Sequence, residues 1–343
     1  MRPWLCAAFL LLFSSALSAE PMPPRLAARL DAIHAASKAH AMVAVVVDGD
    51  RTYVAAKNAN GQSLIRINSL TKVMTGELLA NLIAEGRIRL DAPLQRYAPP
   101  GRIVPRTKGR AITLRDLTAH ASGLPRDMPP GLSKSARWIW LARQKLRQPG
   151  HVAEYSNAAY MFLGDALSAA ANESYEALLE RHITTPLALA DTTLNPTPTQ
   201  CARLLPTTHP CAPTHAIDAM GGLYSTADDM ALWMRGQVNA TPGTPRATAQ
   251  NAIVNRSALT RVANLDMAGR MDAVAMGWLR MRLSGTQVLQ KTGGGGGFMN
   301  YVILSPAGRK GLFITVNRVD IEMLRQLTTQ ANALMSEELP PYH

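Results

Sequence analysis

The hydrophobic and polar positions divide the chain into strands near its two ends and helices in its middle. Near the N-terminus the pattern predicts a helix over 26–39 and then two strands, 42–47 and 51–56, around an Asp-Gly-Asp turn. The helices predicted in the middle are 70–85, 113–119, 135–147, 157–171, 174–184 and 226–238. The C-terminal part is predicted as the strands 274–281, 286–291, 298–304 and 311–317 and a helix over about 320–337.

This order of elements predicts an α/β protein of the α+β kind. We expect one antiparallel sheet built from the N- and C-terminal segments and flanked by helices, with an inserted lobe that is mostly helical. The sheet lobe would comprise about 25–70 and 265–343, and the helical lobe about 70–265. The length of 343 residues and the apolar fraction of 47% agree with a large buried core and exclude a disordered chain.

The first 19 residues have the pattern of a secretory signal peptide. Arg2 precedes an apolar run over 5–17, and the small residues Ser18 and Ala19 follow it. This run is shorter than the roughly 20 residues of a membrane-spanning helix, although an uncleaved anchor stays open as an alternative. Cleavage near Ala19 would leave an exported domain, 20–343, for which nucleic acid is not an expected partner.

Two cysteines, Cys201 and Cys211, remain outside the predicted signal peptide, in a loop rich in proline. Because disulfides form and persist in exported proteins, the simplest interpretation is a bridge between them. A metal site is the alternative, but the chain has no CxxC motif, and His209 is a single imidazole beside Cys211. We therefore expect a disulfide and no metal.

The net charge of +12 is concentrated in the basic region, 96–150, which holds 12 lysines and arginines against two aspartates. One cluster of basic residues lies at 102–110, and a second, at 137–147, surrounds Trp138 and Trp140. Two interpretations are open. The region could contact anionic lipid or the carboxylates of a cell wall, or it could be a solvated helix face with both tryptophans in the core.

The first candidate for chemistry is Ser69-Leu70-Thr71-Lys72, at the start of the helix predicted over 70–85. The positive end of a helix favours a serine nucleophile there, and Lys72 projects from the same face one turn later. A neutral Lys72 could take the proton of the Ser69 hydroxyl. A capping serine with a solvated lysine has the same spacing, so this motif alone is weak.

The second candidate is Tyr155-Ser156-Asn157, which precedes a predicted helix. A tyrosine close to two lysines is expected to ionise more readily and can act first as a base and later as an acid. Asn157 offers an amide donor and an acceptor, which suit a substrate peptide bond. In the structural alternative, Asn157 is the N-cap of the helix and Tyr155 is a packed ring.

The third candidate is Lys291-Thr292-Gly293, at the end of a predicted strand and followed by the glycines 294–297. Lysine and threonine can bind a carboxylate, and glycines let a substrate backbone lie against the edge of a strand. A run of glycines can equally form a flexible hairpin tip.

Together, SxxK, YxN and KTG in this order resemble the serine penicillin-recognising hydrolases, which comprise the penicillin-binding D,D-peptidases and the serine β-lactamases. The tyrosine of the second motif resembles the class C branch, as do LTAHASGLP at 117–125 and GGLYSTADDM at 221–230. A closer resemblance is to the periplasmic AmpH-type D-alanyl-D-alanine carboxypeptidase/endopeptidases. It is carried by RINSLTKVMT at 66–75, RYAPPG at 96–101, the pair Cys201 and Cys211, and QKTGGGGGFMNY at 290–301.

The resemblance implies a periplasmic enzyme that cleaves D-Ala-D-Xaa bonds of peptidoglycan stem peptides through an acyl-serine intermediate. It implies no cofactor. Ser69 would attack the carbonyl, and Lys72 and Tyr155 would share the acid and base roles, with the acylation base left open. The backbone N–H groups of Ser69 and Gly294 would form the oxyanion hole. The residues implied in substrate binding are Asn157, Lys291, Thr292, Gly293 and Gly294. β-Lactam antibiotics would acylate the same serine as inhibitors.

Other hydrolase classes fit the sequence less well. Class C β-lactamases usually carry a hydroxyl residue shortly after KTG, where this chain has glycines, and the intact Lys291 element counts against an esterase. GxSxG is absent around Ser69, and no histidine lies in an HExxH motif, so neither an α/β-hydrolase nor a zinc peptidase is expected. A non-hydrolytic peptidoglycan-binding module is less expected, because none of the motif residues is lost.

Overall fold

The structure, a computed structural model, describes residues 21–337, so the signal peptide predicted over 1–19 lies outside the described residues. Within this part of the chain the α-helices are α1 Pro24–Ser37, α2 Thr71–Ala84, α3 Leu114–Thr118, α4 Lys134–Ala142, α5 Asn157–Ala171, α6 Tyr175–Leu179, α7 Pro198–Cys201, α8 Asp218–Gly221, α9 Ala227–Val238, α10 Pro245–Ala249 and α11 Ile321–Glu337. The strands are β1 Met42–Asp48, β2 Arg51–Lys57, β3 Ile65–Arg66, β4 Arg106–Thr107, β5 Arg110–Ala111, β6 Val152–Glu154, β7 Tyr224–Ser225, β8 Val254–Asn255, β9 Arg261–Ala263, β10 Ala273–Val274, β11 Leu279–Leu283, β12 Thr286–Gly295, β13 Phe298–Ser305 and β14 Lys310–Val316.

Eight of these strands form one antiparallel sheet in the order β2-β1-β14-β13-β12-β11-β10-β8. The first long strand, β1, lies beside the last, β14, with Met42 opposite Val316 and Asp48 opposite Lys310. Segments from both ends of the chain therefore share one sheet. The predicted fold class, an antiparallel sheet flanked by helices, is confirmed.

Strand β1 is apolar at nearly every position because both of its faces are covered. Val43 and Val45 belong to the core between the sheet and the helices from the middle of the chain, where α9 packs on β1. Ala44 and Val46 point to the opposite face and pack in a second core with residues of α1 and α11. Side chains alternate along a strand, so two buried faces require the continuous run of valines seen in the sequence.

Helix α2 lies in the core and is held close to the hairpin between β10 and β11. A Cβ atom added at Gly76 would lie 2.0 Å from the carbonyl oxygen of Met276. One added at Gly277, where φ is +84°, would lie 2.3 Å from the carbonyl oxygen of Lys72. These two glycines therefore allow a backbone approach that positions the first turn of α2 against the sheet.

Several predicted elements have different bounds in the structure. The strand predicted over 274–281 is two strands, β10 and β11, because the chain turns at Gly277. The helix predicted over 135–147 ends at Ala142, and Arg147 instead forms an ion pair with Glu154. The strand that carries KTG continues through the glycines, since β12 runs to Gly295.

The structure joins Cys201 and Cys211 in a disulfide. The loop between them lies against the hairpin that follows KTG, where the Thr207 hydroxyl donates to the carbonyl oxygen of Gly296 at 3.2 Å. On the same loop, the carbonyl oxygen of Pro206 accepts a hydrogen bond from a side chain at the end of β14, 3.0 Å away. The bridged loop is thus fastened to the sheet near the glycine-rich turn.

The basic region is less exposed than its composition indicates. Arg137 is buried and forms an ion pair with the buried carboxylate of Asp165, which also accepts a hydrogen bond from Trp138 Nε1 at 2.9 Å. Trp138 is fully buried, and Trp140 is half-buried and stacks on Phe162. Arg137 therefore cannot belong to a contact surface, and the tryptophans support the interpretation as a helix packed on the core. No helix within 21–337 has the length and apolar character needed to cross a membrane.

Candidate active site

Ser69 lies in a tight turn between β3 and α2, and this turn is packed against strand β12. The preceding residue, Asn68, has a φ of +50°, and its side-chain amide donates to the carbonyl oxygen of Gly295 at 2.9 Å. A Cβ atom added at Gly293 would lie 2.7 Å from the carbonyl oxygen of Ile67 and 3.1 Å from the backbone nitrogen of Ser69. The glycine of KTG therefore lets the strand approach the Ser69 backbone.

Lys72 is fully buried one turn along α2, and its Nζ lies 3.2 Å from Ser69 Oγ. The same nitrogen donates to Asn157 Oδ1 at 2.8 Å and to the carbonyl oxygen of Met220. Burial, reinforced by the positive charges of Lys291 and Arg126, holds the pKa of Lys72 well below its usual value. A neutral amine is therefore favoured at the position where Ser69 needs a base.

Tyr155 lies on the other side of Ser69, with its hydroxyl oxygen 2.5 Å from Ser69 Oγ. Lys72 Nζ and Lys291 Nζ are 5.0 Å and 4.9 Å from the centre of its ring, so both lysines are as close as the sequence suggested. The expectation that Tyr155 ionises readily is nevertheless wrong, because burial raises the pKa of Tyr155 to about 12. Both lysines have lowered pKa values, so they are largely uncharged at the pH at which a tyrosine of this pKa ionises. They therefore provide little positive charge to stabilise the phenolate.

Asn157 is the first residue of α5, and both ends of its side-chain amide are engaged. Its Oδ1 accepts from Lys72, and its Nδ2 donates to Asp127 Oδ1 at 2.7 Å. The N-cap of α5 is Ser156, whose hydroxyl oxygen accepts from the backbone N–H of Ala159. The structural alternative for Asn157 as an N-cap is therefore wrong, and the side chain points into the cluster around Ser69.

The KTG motif lies within β12 and beside Tyr155. Lys291 is buried, and burial together with the charge of Arg126 lowers its pKa to about 7. Strand β12 pairs with β13 along Lys291, Thr292, Gly293 and Gly294, whereas its pairing with β11 ends at Gln290. Among the described strands, none pairs with the other edge of β12 after Gln290. This edge borders the Ser69 turn and could accept an extended peptide.

Sequence reasoning assigned no role to His120 and Arg126, which also contact the cluster. The His120 ring stacks on Tyr155 with ring centres 4.7 Å apart, and its Nδ1 accepts from the backbone N–H of Ser156 at 3.0 Å. Burial and the nearby lysines hold the pKa of His120 well below its usual value, which favours the neutral ring. The Arg126 guanidinium carbon lies 4.9 Å from the Tyr155 ring centre. Both residues lie in or next to the LTAHASGLP segment, which was the signal available in the sequence.

The structure thus brings together the side chains of the first two motifs around Ser69 Oγ, and places the third motif along the adjacent strand edge. A sequence model described as Beta-lactamase matches residues 26–335. The chain belongs to the β-lactamase family.

Within this family, the chain is 36% identical to the D-alanyl-D-alanine-carboxypeptidase/endopeptidase AmpH of Escherichia coli over 366 aligned positions. The alignment covers 97% of this chain and 94% of that protein. The predicted resemblance to the AmpH type is therefore confirmed.

Solved structures of the family show the same fold. A β-lactamase/D-alanine carboxypeptidase from Yersinia pestis is 35% identical, with a TM-score of 0.84 over 90% of this chain and 98% of that one. A class C β-lactamase from Rhodobacter sphaeroides is 21% identical, with a TM-score of 0.75 over 91% of this chain and 99% of that one. At that identity the second structure supports the fold alone.

Proposed function

We propose that this protein is a periplasmic, penicillin-binding serine D,D-peptidase that cleaves D-Ala-D-Xaa bonds of peptidoglycan stem peptides through an acyl-serine intermediate. The observation that carries the proposal is the cluster around Ser69 Oγ, which contacts both a buried lysine and a buried tyrosine beside an open strand edge. The likeness to AmpH over nearly the whole chain supports the same reaction. A class C-like β-lactamase or an esterase is not favoured.

In the acylation step, Lys72 is the base. Two of its hydrogen-bond partners, Asn157 Oδ1 and the carbonyl oxygen of Met220, can only accept. They take both N–H groups of a neutral amine, so its lone pair is left for the hydroxyl of Ser69. Ser69 Oγ then attacks the carbonyl carbon of the D-Ala residue, and its proton passes to Lys72.

The tetrahedral intermediate carries its negative charge on the former carbonyl oxygen. The backbone N–H groups of Ser69 and Gly294 stabilise this oxyanion. The close approach allowed by Gly293 brings the Ser69 turn next to strand β12, which carries Gly294. When the C–N bond breaks, the leaving amine takes the proton of the Tyr155 hydroxyl, and Lys72 returns a proton to the phenolate. Tyr155 is suited to this role as an acid because its raised pKa keeps it protonated.

Substrate binding uses the remaining motif residues. The substrate lies extended along the free edge of β12, with Asn157 contacting its amide and Lys291 and Thr292 contacting the terminal carboxylate. A water molecule then attacks the acyl-enzyme, which releases the shortened peptide and restores the Ser69 hydroxyl. β-Lactam antibiotics follow the first step and leave the enzyme acylated.

One site of this kind performs two reactions. Removal of the last residue of a stem peptide is carboxypeptidase action, and cleavage of a D-Ala bond to the side-chain amine of a neighbouring stem is endopeptidase action. Both have the same acyl half and differ only in the leaving amine, which departs along the strand edge. The chain would act after export, as a 20–343 domain with a sheet lobe and a helical lobe, and an oxidising compartment agrees with the disulfide between Cys201 and Cys211.

The exposed part of the basic region is proposed as a peripheral contact with anionic lipid or wall carboxylates. Arg143 and Lys145 are exposed, and each basic group near an anionic surface contributes about 1 kcal/mol. Co-sedimentation with anionic liposomes across a salt series tests this contact. Binding that does not change when the charges of Arg143, Lys145 and Arg147 are reversed would contradict it.

The central test is mass spectrometry of defined muropeptides after incubation with the mature protein. A pentapeptide monomer should lose one alanine, and a 4,3-crosslinked dimer should split, while Ser69→Ala leaves both unchanged. The relative rates give the balance between the two reactions. Unchanged substrates in the presence of folded wild-type protein would contradict the proposed function, and a stable penicillin adduct would then favour a non-hydrolytic binding module.

A further inference from the structure

A cavity of about 350 Å³ lies beside Asn157, next to the catalytic cluster. Its walls are mostly apolar, and the side chains that form them include Met128, Leu132, Met161 and Ile217. The volume falls within the range of about 300 to 1,000 Å³ typical of small-ligand pockets. Because its walls offer few hydrogen-bond partners for water, the cavity is suited to an aliphatic group.

The cavity lies on the acyl side of the site. Asn157 and Met220, both of which bind Lys72, line it, whereas Lys291 and Thr292 do not. In the proposed reaction the terminal carboxylate is bound by the KTG strand, so the leaving group departs on that side. A group in this cavity must therefore belong to the part of the substrate that precedes the cleaved bond.

Asp127 supplies the one charged side chain that lines this cavity. Its Oδ1 accepts from Asn157 Nδ2 at 2.7 Å, and its Oδ2 lies 3.5 Å from Arg126 Nε. A carboxylate has about four acceptor positions, so these two contacts leave capacity for a further donor. The side chain is 55% exposed and can reach a ligand without moving through packed neighbours.

The positive charge of Arg126 does not enter the cavity. Its guanidinium carbon lies over the Tyr155 ring, and its charge lowers the pKa of Lys291 on the opposite side of the site. The two consecutive residues thus face different halves of the cleft, although their side chains also contact each other at 3.5 Å. Arg126 adds positive charge on the side of the leaving carboxylate, and Asp127 adds negative charge at the cavity.

We propose that this cavity binds the side chain of the residue that precedes D-alanine in the stem peptide, and that Asp127 selects an aliphatic side chain ending in an ammonium group. The methylene groups of such a side chain would pack on the apolar walls, and its ammonium would donate to Asp127 at the mouth. This inference rests on the proposed D,D-peptidase activity and assigns a specificity-determining residue to it. Asp127 contacts the substrate but takes no part in proton transfer.

The test compares three peptides of the form acetyl-X-D-Ala-D-Ala, in which X is lysine, norleucine or Nε-acetyllysine. Norleucine keeps the aliphatic chain and lacks the ammonium, and acetylation removes the charge while keeping a polar end. Wild-type kcat/KM should be about tenfold higher for the lysine peptide than for the other two, as expected for a hydrogen bond between charged groups. Release of D-alanine is the measured quantity.

Asp127→Asn is the decisive variant, because it keeps one oxygen for Asn157 Nδ2 and removes the negative charge and the second acceptor. The decisive quantity is the ratio of kcat/KM for the lysine peptide to that for the norleucine peptide, which should fall from about ten to near one whatever the change in the absolute rates. Asp50→Asn is the matched control, since Asp50 is an exposed aspartate in the turn between β1 and β2, at the end of the sheet away from Gly295. It should keep the full preference.

Three outcomes overturn the inference. Equal cleavage of the lysine and norleucine peptides by the wild type would remove the ammonium selection and leave the D,D-peptidase activity intact. A lysine preference that survives Asp127→Asn would assign the selection to another group. Failure of the wild type to cleave any of the peptides would overturn the proposed function, and this inference with it.

Discussion

Lys72 Nζ lies 3.2 Å from Ser69 Oγ, and its two other hydrogen-bond partners, Asn157 Oδ1 and the carbonyl oxygen of Met220, are both acceptors. This arrangement holds the amine in one orientation toward the nucleophile. Tyr155 contacts the same oxygen atom from the other side, but its pKa is raised to about 12, so it is protonated at neutral pH. The contrast between the two pKa shifts favours Lys72 as the base and Tyr155 as the acid.

Replacement of Lys72 by glutamine should slow acylation by about 10²- to 10⁴-fold, the usual contribution of a general base. Glutamine can still donate to Asn157 Oδ1 but has no basic lone pair for the Ser69 proton. The rate of labelling by a fluorescent penicillin measures this step directly, and thermal unfolding of the variant checks that the buried site is intact. An acylation rate within tenfold of the wild type would assign the base to Tyr155 instead.

The pKa of Lys291, lowered to about 7, should set the alkaline limb of the pH profile. The ammonium form binds the terminal carboxylate and predominates below this pKa, so kcat/KM should fall as the pH rises through about 7. Lys72 must be neutral, and because its pKa is also lowered, it limits the rate only toward acid pH. The bound carboxylate stabilises the ammonium of Lys291 and so raises its pKa in the enzyme-substrate complex. The fall in kcat should therefore occur at a higher pH than the fall in kcat/KM.

A peptide with an amidated C-terminus separates this effect from other titrations. It offers no carboxylate to Lys291, so its kcat/KM should be lower and should show no fall near pH 7. The same alkaline limb for the acid and the amide would show that another group causes it.

The sequence predicted the catalytic cluster better than its electrostatics. The identity and spacing of Ser69 and Lys72 follow from one helical turn, and this local relationship is visible without the fold. The pKa of Tyr155 depends on burial by residues distant along the chain, among them His120, and no local pattern shows that. The burial of Arg137 within the basic region was not visible in the sequence for the same reason, since its buried partner Asp165 is 28 positions away.

The glycines after KTG show a further limit of local patterns. Five glycines are typical of a flexible tip, but Gly293 to Gly295 continue β12, and at Gly293 the absence of a Cβ atom allows the Ser69 turn to approach the strand. The turn itself begins at Gly296. The local preference of a glycine run for a flexible turn is therefore outweighed by the packing of this run against the Ser69 turn, more than 200 positions away in the sequence.

The disulfide should stabilise the protein and the loop that lies on this hairpin. Replacing Cys201 and Cys211 together by serine opens a loop with a separation of 10 positions, which should lower the free energy of unfolding by about 2.5 to 3 kcal/mol. Urea unfolding of the double variant measures this loss, with the wild type under reducing conditions as the control. An unchanged unfolding midpoint would contradict the prediction.

Loss of the contact between Thr207 and Gly296 should also raise KM more than it lowers kcat.

The ion pair between Arg137 and Asp165 should be among the most sensitive positions for stability. Their side chains are 6% and 3% exposed, so Asp165→Ala leaves a buried positive charge without its partner and should cost about 3 to 5 kcal/mol. Asp50→Ala, which breaks an exposed pair with Arg309, is the control and should cost less than about 1 kcal/mol. Replacing Arg137 by methionine and Asp165 by leucine together should recover part of the loss, because no unpaired charge remains buried. Equal unfolding free energies for Asp165→Ala and Asp50→Ala would show that Arg137 finds water or another acceptor when Asp165 is removed.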